Sequence, residues 1–100
     1  MLINASKHTT LYGAKGTVKG KLWGGGEGEY YARSLGNFKK KAELYTAIQD
    51  ALKDGSLDSG MGFEKLLHAH MDIIRTESYV INGKKFTHQI CVTSKRFNNI

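Results

Sequence analysis

Gly60-Met61-Gly62-Phe63-Glu64-Lys65-Leu66-Leu67-His68-Ala69-His70-Met71-Asp72-Ile73-Ile74 occupies the middle of the chain, and its reading sets the number of helices. Phe63, Leu66, Leu67, His70, Met71 and Ile74 recur three and four residues apart, the spacing of one helical face. Asp58 or Ser59 is placed to cap its start. The pattern predicts a helix from about residue 60 to near residue 72.

A first helix is predicted over residues 38 to 53, where Phe38, Ala42, Tyr45, Ile48 and Leu52 fall at helical spacing and Asp54-Gly55 supplies a stop. Both ends of the chain read as strands. Thr17 to Trp23 alternates, Val18 and Leu22 on one side and Thr17, Lys19, Lys21 and Trp23 on the other. The glycine-rich Gly24-Gly25-Gly26-Glu27-Gly28 is a loop, and residues 29 to 35 form the return strand. Asn82-Gly83 is the strongest local signal, because a type I′ turn needs positive φ at both central positions. Its two-residue loop pairs Tyr79 with Phe86, Glu77 with His88, Arg75 with Ile90 and Ile73 with Val92.

The expected architecture is therefore α+β in the order β-β-α-α-β-β. Two β-hairpins form a four-stranded antiparallel sheet with two helices packed on one face. The alternative places the helices between two separate hairpins. One domain, residues 1–100, is all that this length supports, and a 40% hydrophobic composition is that of a globular chain.

Composition narrows the setting. A single cysteine, Cys91, forms no intrachain disulfide, which fits a reducing compartment. No apolar run approaches a signal-peptide core or a membrane span of ~20 residues. A cytoplasmic protein without membrane contact is expected.

The net charge is +6 and is unevenly distributed. Residues 1–41 carry Lys7, Lys15, Lys19, Lys21, Arg33, Lys39, Lys40 and Lys41 against Glu27 and Glu29. Residues 42–77 are net acidic, and residues 78–100 hold Lys84, Lys85, Lys95 and Arg96 with no acid. The helices thus read as acidic and the strands as basic, so a polyanion is expected on the strands. Trp23, Tyr30 and Tyr31 lie among these lysines, and rings interleaved with cations suit a single-stranded nucleic acid. The competing reading turns those rings into the core.

The catalytic and metal motifs fall short. His68-Ala69-His70-Met71-Asp72 superficially resembles the HxHxD part of metallo-β-lactamase-type metal sites, which implies a metal-dependent, nuclease-like enzyme. Ile73 stands where a further histidine belongs, and on a helix His68 and His70 diverge. Asp54, Ser56 and Asp58 imitate a calcium loop, but Ser59 replaces the turn glycine and Glu64 is one place early. Gly16 to Leu22 is too short for a P-loop. His88 and Cys91 project to opposite faces of one strand, and Glu77 with His88 makes an ion pair rather than a dyad.

No catalytic residue, metal or cofactor is expected. The function expected is non-enzymatic binding of nucleic acid or an acidic surface through Lys19, Lys21, Trp23, Tyr31, Arg33, Lys39, Lys40, Lys84 and Lys85. Lysine also protects edge strands and turns, which is the plainer role for Lys84 and Lys85. The alternative is a phage or mobile-element type of inhibitor that blocks a host protein or nucleoprotein complex. The uncovered sheet face would then be free or buried in a homodimer.

Overall fold

The computed structural model describes residues 7–100. Its elements run β1 (Lys7–Leu22), β2 (Glu27–Tyr31), α1 (Lys41–Asp54), β3 (Phe63–Ile81) and β4 (Lys84–Asn98). All strands pair antiparallel in one curled sheet of order β2-β1-β3-β4. Among the described residues there is one helix, not two packed on the sheet, which corrects the expected β-β-α-α-β-β order. Residues 60–72 enter a 19-residue strand instead.

The helical spacing in that segment has a specific origin. Lys19 pairs with His68 and Gly20 with Leu66, so Leu67 is an extra residue in a β-bulge. Leu66, Ala69, Met71 and Ile73 are all buried. The bulge turns one two-residue step into three, and small Ala69 conceals the alternation that follows. The Asn82-Gly83 turn, with φ of 50° and 75°, sets the register back to the pair Ile74–Cys91. Tyr79–Phe86, Glu77–His88 and Arg75–Ile90 pair as expected. Ile73 pairs with Thr93 rather than Val92, because a bulge in β4 intervenes.

The first hairpin also forms, but β1 is far longer than Thr17–Trp23 and β2 ends at Tyr31. Gly16 is required where β1 crosses β3. A Cβ there would lie 1.9 Å from the His70 carbonyl oxygen. The helix stops as expected at Gly55, φ 81°. Its buried face is Leu44, Ile48, Ala51 and Leu52; Ala42 is exposed, and Phe38 precedes the helix in a bridge to Tyr12.

The core lies between α1 and one face of the sheet, where Leu44, Ile48 and Leu52 meet Val18, Ala69, Met71, Ile73 and Phe97. Leu57 closes it from the α1–β3 loop. Asn99 Nδ2 donates to the carbonyls of Leu52 (3.1 Å) and Leu66 (2.7 Å), tying the helix end to the sheet. The helix covers only one end of a molecule 58 Å long and about 20 Å across. Beyond the row Tyr12–Arg75–Ile90, β1, β3 and β4 continue as a three-stranded arm.

No helix among the described residues is long and apolar enough to cross a membrane.

Candidate functional site

Strand alternation assigns every sheet residue to a face. Buried Val18, Ala69, Met71, Ile73 and Phe97 define the helix side. The opposite side therefore carries Lys7, Lys15, Lys19 and Lys21 from β1, Glu27, Glu29 and Tyr31 from β2, and Lys65, His68, His70 and Asp72 from β3. From β4 it takes Lys85 and Arg96. Seven cations thus share a face with three carboxylates, and no helix or second sheet lies over it among the described residues, only Asn37 reaching in beside Gly13. The helix side has a mixed surface, with Lys41 and Lys53 of α1 and Arg75, Lys84 and Lys95 of the sheet beside Glu43, Asp50, Asp54 and Glu77.

Within this face the carboxylates are local. Lys19 and Lys21 stand opposite Glu29 and Glu27, Lys19 Nζ lies 3.8 Å from Glu27, and Thr17 Oγ1 donates to Glu29 over 3.0 Å. The hairpin that looked basic in segment tallies is thus close to neutral. Asp72 accepts a hydrogen bond from Ser94 Oγ. Lys7, Lys15, Lys21, Lys65, Lys85 and Arg96 make no ion pair among the described residues.

The nine residues singled out from sequence do not converge. Lys19, Lys21 and Tyr31 meet at the broad end of the uncovered face, with Trp23 in the adjoining turn. Tyr31 is 82% exposed and Trp23 73%. Tyr30 turns to the helix side, its ring edge-on to Phe63 at 5.7 Å. Arg33 leaves β2 in a loop whose backbone bonds to Leu57. Lys39 and Lys40 lead into α1, Lys40 as an N-cap without a capping side chain. Lys84 and Lys85 lie at the tip of the arm. The division into acidic helices and basic strands also needs correction, because Glu64, Asp72 and Glu77 belong to β3.

Sequence reasoning missed Lys7, Lys15, Lys65 and Arg96 as members of the face. The signal was present in part: Lys7, Lys15, Lys19 and Lys21 are all odd-numbered, hence on one side of a strand once it is known to begin at Lys7. Lys65 was hidden by the helical reading.

His68 lies inside the cationic group. Burial, then the positive charge of Arg96 and Lys19, hold its imidazole below the usual histidine range, with Glu29 and Glu27 opposing. Its Nδ1 is buried with no hydrogen-bond partner. The strand brings His68, His70 and Asp72 to one side, contrary to the helical geometry, but no group of three or more metal-ligating residues is assembled among the described residues.

The calcium-like loop is bound up with its own backbone. Asp58 accepts from the N–H groups of Gly60 (2.9 Å), Met61 (2.8 Å), Gly62 (3.1 Å) and Phe63 (2.9 Å). Burial pushes its carboxyl upward, but these four donors outweigh that and hold it below the usual range. Ser56 N–H likewise donates to Asp54 (2.8 Å).

No protein family, curated protein or solved structure matches the chain.

Proposed function

We propose that the chain binds nucleic acid, without chemistry and without sequence preference, through the uncovered face of its sheet. The supporting observation is the charge on that face: Lys7, Lys15, Lys19, Lys21, Lys65, Lys85 and Arg96 against Glu27, Glu29 and Asp72. Phosphate contacts of this kind draw affinity from released counterions and carry no base information. Tyr31 and Trp23 at the broad end add exposed ring area beside the phosphates.

Titration of DNA and RNA at two salt concentrations tests the reading. Five phosphate contacts would lower affinity by about 10²–10³-fold between about 50 and 200 mM salt. Charge reversal at Lys15 and Arg96 should weaken binding, whereas reversal at Lys53 on the helix side should not. Absence of binding at low salt rejects the proposal.

A second reading rests on the outer edge of β4, which no strand among the described residues pairs and whose strand carries Lys84, Lys85, Lys95 and Arg96 with no acid. An acidic protein segment could add there as a further strand, the mode of an inhibitor that blocks a larger complex. A stable complex that survives nuclease favours this reading over the first.

A further inference from the structure

The charge on the uncovered face falls into two groups. Lys15, Lys19, Lys21 and Lys65 lie around the row Tyr31–Thr17–His70–Arg96 at the broad end. Lys7 and Lys85 flank Val80 at the arm's far end. Between them the same face presents Thr9, Leu11, Gly13, Ile74, Thr76, Ser78, Thr87, Gln89 and Cys91, with no Lys, Arg, Asp or Glu among them.

His70 and Val80 are ten residues apart on β3. At ~3.3 Å per residue the row of His70 and Arg96 is about 33 Å from the row of Lys7 and Lys85, with Lys15 two rows nearer and Lys21 and Lys65 farther away. A duplex lying along a surface brings each of its two backbones back to that surface once per helical turn, about 34–36 Å. An extended single strand would instead run its phosphates along the uncharged middle, where no cation meets them. The arm is three strands wide, broader than the two-stranded ribbon that the major groove admits, so it meets the backbone from outside.

We infer that the preferred ligand is double-helical nucleic acid, held at two backbone crossings one turn apart. This rests on the reading that the uncovered face binds nucleic acid. The broad end supplies the main contact, and Lys7 and Lys85 supply the second only when the duplex is long enough to reach them.

A length series tests this. Duplex DNA from about 8 to about 20 base pairs, with single strands of matching length, is titrated at low salt. The expected result is an affinity step of about tenfold or more between roughly 10 and 14 base pairs, for duplexes alone. The salt slope should steepen by about 1.8 at the same length, from two added phosphate contacts. Lys7→Gln with Lys85→Gln should remove the step, and Lys7→Arg with Lys85→Arg should restore it. A smooth rise with length, or single strands binding as tightly as duplexes, overturns the inference while leaving the binding face in place. No binding of any nucleic acid overturns both.

Discussion

Strand β3 lives in two environments. From Leu66 to Ile73 it lies under α1, with Ala69, Met71 and Ile73 almost wholly enclosed. From Arg75 to Ile81 it runs through the arm, where no residue reaches that degree of burial and Phe86 on the neighbouring strand is 52% exposed. From His68 to Val80 the strand pairs with both β1 and β4, interrupted only by the register shift at Ile73/Ile74. Hydrogen bonding is therefore common to the two, and buried apolar area is what separates them. The covered end supplies the stability, while the arm is held by register and by cross-strand pairs such as His8 stacked on Tyr79 at 4.5 Å.

Truncation should expose this contrast most strongly. Ile73→Ala, at a site with no solvent exposure, should cost about 2–5 kcal/mol in denaturant unfolding. Phe86→Ala, removing a larger side chain from the arm, should cost under about 1 kcal/mol. Equal losses at the two sites would remove the distinction.

Gly16→Ala comes next, because its new methyl group would collide with the backbone carbonyl of His70 rather than with a movable side chain. Strand separation at the covered end should cost about 1–3 kcal/mol by the same unfolding measurement. Gly83 at the arm tip meets nothing within 4 Å, so its only constraint is positive φ.

Asp58→Ala removes the acceptor for four backbone N–H groups and should cost about 1–2 kcal/mol, with Asp58→Asn intermediate. The smallest effect is with pH. Both His68 and Asp58 have folded pKa values held below their unfolded ones, so each adds stability that is present above the unfolded value. That stability declines as pH falls below about 6.5 for His68 and below about 3.9 for Asp58. Unfolding midpoints of the His68→Gln variant should lack the upper step.

The legible parts of the fold were those set by neighbours in sequence. Asn82-Gly83 announced its turn and three correct cross-strand pairs, and Gly55 announced the end of α1. Residues 63–74 were misread because the cause of their spacing, the bulge at Leu67, exists only through pairing with β1. Local periodicity carries no trace of a partner forty residues away. The candidate face was half legible for the same reason. Lys19, Lys21, Tyr31 and Lys85 could be named, but Lys65 and Arg96 join them only through strand order. The cancellation of Lys19 and Lys21 by Glu29 and Glu27 likewise depends on register.

The central claim is that one face of the sheet, and not the helix side, receives the polyanion. Lysine acetylation footprinting with and without a 20-base-pair duplex tests it residue by residue. The account predicts protection at Lys7, Lys15, Lys65 and Lys85, with Lys41 and Lys53 of α1 reacting as in the free protein. Protection centred on Lys41 and Lys53, or spread evenly over both sides, would contradict it.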